Sequence, residues 1–150
     1  MPQMTSDMRD FLNPPFPNLF NHYVSDEVSE ETSKYNCIAW AYEEDTRRLW
    51  PNLYGYEWPK EITNTETIDS FKELFSSIGY IECDNGDFEE GYLKIAIYAN
   101  TLGVPKHAAR QLPNKYWTSK CGDYIDIEHT IEGMANGYYG NIVVFMKRPI

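Results

Sequence analysis

Between Thr63 and Gly79 the apolar residues Ile68, Phe71, Leu74, Phe75 and Ile78 recur at spacings of three and four, the pattern of one buried helical face. Thr63 and Glu66 stand at capping-box spacing and Gly79 where a helix-ending glycine belongs, so a helix is predicted across this segment. A second helix is predicted from about Tyr35 to Glu44, with Ser33 or Asn36 at its start and Tyr35, Ile38, Ala41 and Tyr42 on one face. From Gly91 onward the pattern becomes period two or continuously apolar. Tyr92–Ala99, Val104–Leu112, Tyr116–Lys120 and Gly140–Lys147 read as strands, and the short turns at 100–103 and 113–115 make the first three sequential and antiparallel. A short helix is predicted near Ile127–Met134.

Elsewhere the periodicity is absent. Asn13-Pro14-Pro15-Phe16-Pro17 cannot propagate a helix or a central strand, so residues 1–33 read as an irregular wrap that includes an acidic surface stretch, Ser25–Ser33. Trp50–Pro59, aromatic and broken by proline and glycine, reads as an ordered loop held by its rings. The whole is an α+β arrangement in one domain, 1–150, with N-terminal helices packed on a C-terminal antiparallel sheet of about four strands across residues 34–150.

Charge narrows the partners. Thirteen Lys+Arg against 23 Asp+Glu leave a net charge of −10, which removes the phosphate-neutralising attraction that nucleic acids need and makes an anionic membrane a poor surface. A basic protein is the macromolecular partner such a charge favours. The three cysteines are odd in number and widely spaced, so no disulfide framework is expected. The first residues carry no apolar leader and no apolar run is long enough to span a bilayer, which together point to the cytoplasm.

Two residues carry candidate chemistry. Cys37 falls in the first turn of the predicted 35–44 helix, where unpaired N–H groups and the positive end of the helix dipole favour thiolate; its plain alternative is packing, since cysteine is commonly buried. His107 begins a predicted strand between residues that leave room for its ring, and suits a general base. The turn at 113–115 folds Thr118 and Ser119 back beside His107, making Ser119 or Thr118 the local candidate orienter, with Asp126, Glu128 and His129 as further options. Trp40, Trp50, Trp58 and Trp117 are candidates to line a substrate groove and Arg110 and Lys120 to clamp an anionic group, against the simpler roles of sealing loops and carrying solvated charge. Cys37, His107, His129 and Asp126 show no recurrent metal-ligand spacing, and the nine glycines form no phosphate loop, so neither a metal nor a cofactor is expected.

Cysteine at a helix start followed by histidine on a later strand resembles the papain-like hydrolases, and among them the compact cell-wall-amidase branch. The resemblance implies a papain-like fold and cleavage of an amide, peptide or related acyl bond, with a peptide, protein or small amide as substrate. Ser119 stands where that branch has His, Asn or Asp, and no glutamine precedes Cys37 at papain's spacing. A likeness covering more of the chain is to an uncharacterised bacterial domain family, carried by YNCIAWA at Tyr35–Ala41, the aromatic Trp50–Pro59 loop, Gly79–Cys83, KIAIYA at Lys94–Ala99, HAARQL at His107–Leu112, Trp117–Gly122 and DIEH at Asp126–His129. That family implies one intact domain and no established activity. The expected function is therefore a cysteine hydrolase working through Cys37 and His107, the alternative a non-catalytic acidic binding module of the immunity or regulatory kind.

Overall fold

The apolar run Tyr92–Ala99 lies inside a six-stranded sheet rather than at its surface, buried from Ile95 to Ala99 on both sides. The computed structural model describes residues 4–6, 32–121, 126–135 and 137–150. Most of the expected 1–33 wrap lies outside the described residues. Among the described residues the elements are the helices α1 (Cys37–Ala41) and α2 (Ile68–Ser76) and the strands β1 (Ile81–Cys83), β2 (Tyr92–Ala99), β3 (Pro105–Gln111), β4 (Trp117–Lys120), β5 (Asp126–His129) and β6 (Asn141–Pro149). Their order across the sheet is β1-β6-β2-β3-β4-β5, and every neighbouring pair is antiparallel.

This corrects the expected fold class. The α+β, papain-like arrangement of helices on about four strands gives way to a mainly β fold of six strands, with described helices of only 5 and 9 residues. Three local causes account for the difference. Helix α1 stops at Ala41 because Tyr42 closes it and Glu43 turns to φ 65°, outside helical space, well before Glu44. Asp126–His129 joins β4 as a strand, Ile127 opposite Ser119, where a helix was expected, because an available sheet edge outweighs the weak helical spacing of a short run. Ile81–Cys83 is too short to show a period, and pairs with Phe145–Lys147 of β6. In α2 the cap is Thr67, whose Oγ1 accepts from Ser70 N–H, while Thr63 N–H donates to Glu73 Oε1.

Alternation along the paired strands divides the core into two layers. On one face Ile95, Ile97, Ala108 and Met146 pack under α1, α2 and the aromatic loop, with Cys37, Ile38, Phe71 and Phe75. On the other, Ala96, Tyr98, Ala109, Trp117 and Ile127 are covered by Met134 and Met4. Both turns of the meander are closed by asparagine: Asn100 Oδ1 accepts from Leu102 and Val104 N–H, and Asn114 Oδ1 from Tyr116 N–H. Strands β3 and β4 pair only at Arg110–Thr118 and Gln111–Trp117, so the first half of β3 has no ladder partner in β4. Cys37, His107 and Ser119 gather at this opening.

Candidate functional site

Asn36 sets the position of Cys37. Its Oδ1 accepts from Ala39 N–H at 3.2 Å and Leu49 N–H at 2.9 Å, and its Nδ2 donates to Leu49 O at 2.7 Å, so one side chain caps α1 and holds the following loop against it. Cys37 is thereby the first helical residue, and the N–H groups of Cys37, Ile38 and Ala108 point at its thiol. They favour the anion, as a helix start should. Burial outweighs them and pushes the thiol up to about 11, so the low value expected from helix position alone is corrected: at neutral pH the Cys37 thiol is protonated.

The histidine side of the site is a buried chain of hydrogen bonds. His107, on β3, lies 2.9 Å through Nε2 from Ser119 Oγ on β4, and Ser119 Oγ lies 2.8 Å from His129 Nε2 on β5. His129 Nδ1 is 2.6 Å from the carbonyl oxygen of Thr130. That carbonyl can only accept, which determines every proton in the chain. His129 carries its proton on Nδ1 and offers a lone pair at Nε2; Ser119 O–H donates to that lone pair; His107 Nε2–H then donates to Ser119 Oγ. His107 Nδ1 is left as an unprotonated nitrogen, and it has no hydrogen-bond partner among the described residues. Burial and the neighbouring His129 hold His107 well below the ordinary histidine range, and burial lowers His129 to about 4, so both rings are neutral.

Aromatic rings fix the His107 imidazole. Tyr139 stacks on His107 with centroids 4.1 Å apart, and Tyr98, its cross-strand partner, meets the ring edge-on at 5.1 Å. The thiol of Cys37 reaches the N–H of Ala108, one residue from His107, yet no hydrogen bond joins Cys37 to His107. The fold brings the two to adjacent backbone positions from opposite layers of the sheet.

The other candidate residues are dispersed. Ser119 sits against His107 as the hairpin turn suggested. Asp126 faces the opposite layer and accepts from Tyr35 O–H at 2.7 Å, so it does not orient His107. Trp40 donates from Nε1 to Thr118 Oγ1 at 3.1 Å and lies under the Arg110 guanidinium, whose Nε donates to Trp40 O; the pair clamps α1 to β3 and β4. Trp58 donates to Thr63 O and packs on Phe71 beside α2, and Trp117 is 2% exposed against Phe145, so neither shares a groove with Cys37. Lys120, a candidate anion clamp, is buried and donates to Thr32 O; sequence reasoning missed Tyr139 and Tyr98. Only their place beside strand ends could have drawn attention to them. Among the described residues no three His, Cys, Asp or Glu side chains converge as a metal-ligand set, and no helix is long and apolar enough to cross a membrane.

Residues 26–147 match the family described as a domain of unknown function, DUF7689, and the chain belongs to that family. No curated protein and no solved structure matches it.

Proposed function

We propose that the protein is a cysteine hydrolase of amide, peptide or related acyl bonds, with Cys37 as nucleophile and His107 as base. One observation carries the reading: the buried Thr130–His129–Ser119–His107 chain leaves His107 Nδ1 as a neutral, unpartnered proton acceptor next to the strand position that the Cys37 thiol touches. A purely structural histidine in a fully buried site would be expected to use both nitrogens.

The resting pair is neutral, so the thiol transfers its proton to His107 Nδ1 as sulfur attacks the acyl carbon. The S–C bond forms, and the oxyanion develops near the Cys37 and Ile38 N–H groups, which at rest point at the thiol. His107 then gives the proton to the leaving amine as the C–N bond breaks, leaving a thioester. Water hydrolyses that thioester, returning a proton to Sγ through Nδ1. Substrate binding must close the contact between Cys37 and His107 that the resting structure leaves unmade.

The test uses p-nitrophenyl acetate, which acylates accessible nucleophiles without demanding a particular substrate. Acylation at Cys37, located by peptide mass spectrometry, and its loss in His107→Ala are the expected results. Label confined to Cys83, or indifferent to His107, overturns the proposal.

A second reading is favoured by the closed state of the pair: Cys37 is 6% and His107 0% exposed. In it the protein is an acidic binding module, and the net charge of −10 selects a basic protein partner. Capture of one basic partner, unchanged in Cys37→Ala, belongs to this reading alone.

A further inference from the structure

Tyr98 is a fully buried tyrosine, 0% exposed, directly opposite His107 on the paired strands β2 and β3. Its hydroxyl has no hydrogen-bond partner among the described residues, and neither has His107 Nδ1. The two rings touch, with centroids 5.1 Å apart and planes at 65°. One atom is a donor and the other an acceptor, yet they do not bond to each other. Burial holds the phenol above the ordinary tyrosine range, so its proton stays on oxygen, while the hydrogen bonds running from Thr130 to His107 leave Nδ1 with its lone pair. That lone pair lies in the imidazole plane, so the Tyr139 ring stacked on the face does not cover it. Leaving a donor and an acceptor unpaired at this depth costs free energy at both atoms. A small molecule that accepts from one and donates to the other removes both costs at once.

We propose that Tyr98 O–H and His107 Nδ1 together bind one water molecule, and that this water is the nucleophile that hydrolyses the Cys37 thioester. The inference deepens the cysteine-hydrolase reading and rests on it. Water suits the site because it is acceptor and donor in one atom and small enough to lie against two touching rings. Strands β3 and β4 do not pair alongside His107, so the backbone ladder does not close over this edge of the ring. In the reaction the water oxygen attacks the thioester carbonyl carbon as one of its protons passes to Nδ1. The C–S bond then breaks, the carboxylic acid departs, and Nδ1 returns the proton to Sγ. Tyr98 keeps its own proton throughout. It is a positioning residue, whose hydroxyl holds the water against the base with the second oxygen lone pair free to attack.

The experiment compares the wild-type chain with Tyr98→Phe, which removes the hydroxyl and keeps the ring. With p-nitrophenyl acetate, acylation is read as the burst of nitrophenol and deacylation as the steady rate that follows. The burst should be equal in the two proteins, and the steady rate should fall roughly tenfold or more in Tyr98→Phe, with acetylated Cys37 accumulating in peptide mass spectra. Equal steady rates after equal bursts overturn the inference and leave the hydrolase reading standing. The site is also tested without any substrate, by nuclear Overhauser transfer from a long-lived water to the ring protons of Tyr98 and His107. That transfer should be present in the wild type and lost in Tyr98→Phe; its absence from the wild type overturns the inference. Urea unfolding supplies the check on folding and a third readout, since removing a bare buried hydroxyl raises the midpoint and removing one bound to water does not. A raised midpoint therefore counts against the site. A wild-type burst that is missing, or that survives His107→Ala, removes the hydrolase reading and the catalytic role of the water with it, and the Overhauser signal then decides the binding site by itself.

Discussion

The imidazole of His107 lies flat against the ring of Tyr139, with planes 1° from parallel and centroids 4.1 Å apart. Stacking a neutral imidazole on a phenol holds the ring in one plane and excludes water from one side of it. The hydrogen bond to Ser119 fixes the remaining rotation. Tyr139→Ala should therefore destabilise the protein by about 2 kcal/mol in urea unfolding and broaden the His107 ring signals in NMR spectra. Sharp, unshifted His107 signals in that variant would show that the stack does not position the imidazole.

Ser119 is both acceptor and donor in the chain, so its removal strands two partners. In Ser119→Ala the Nε2–H of His107 and the lone pair of His129 Nε2 lose their bonds at fully buried positions, for a combined cost of about 2–4 kcal/mol. Nitrogen NMR of the wild-type imidazoles should find the proton on Nε2 of His107 and on Nδ1 of His129. The opposite tautomers would refute the proton assignment and with it the free base at His107 Nδ1.

Acid should unfold the protein through this pair. His129 is lowered from 6.5 to about 4, and His107 is lowered in the same direction. Between these values the unfolded chain binds protons that the folded chain refuses, so stability is fully present above about pH 6.5 and declines as pH falls toward 4. His129 alone accounts for about 3 kcal/mol across that window. Urea unfolding at pH 7 and pH 4.5 measures the difference, and His129→Gln should flatten it.

Glycines at positive φ divide into two groups. A Cβ on Gly140 would meet the carbonyl oxygen of Ala99 at 2.1 Å, at a φ of 81°. Gly91 and Gly103 have similar φ values, 86° and 78°, with nothing within 4 Å. Alanine at Gly91 or Gly103 should cost about 1 kcal/mol from backbone strain alone, and at Gly140 well above 2 kcal/mol because β6 must move away from β2. Gly140 adjoins Tyr139, so Gly140→Ala should also disturb the His107 signals.

Much of the sheet was legible because its signals are local. Strands β2, β3, β4 and β6 fall within two residues of the runs that alternation and continuous apolarity marked, since strand burial is written in neighbouring residues. The 113–115 turn predicted that Ser119 would return to His107, and it does. Helix α2 was visible through its apolar face, although its cap is Thr67, because Thr63 is drawn instead to Glu73. Strands β1 and β5 were not visible. Each has three or four residues, and each exists because a distant edge, β6 or β4, satisfies its backbone.

The sequence by itself determined where the chain alternates, where it turns, and that one cysteine would open a helix while one histidine would lie on a strand. Tertiary structure alone decided what those residues meet. The register of β3, β4 and β5 aligns His107, Ser119 and His129, and sends Asp126 and Lys120 to the other face. It also set the protonation of Cys37: helix position favours the thiolate, but the depth at which the layers close over it costs a charge more than three N–H groups return. Local preference acts through adjacent residues, whereas burial and pairing depend on segments tens of residues apart, and in this site the distant terms prevail.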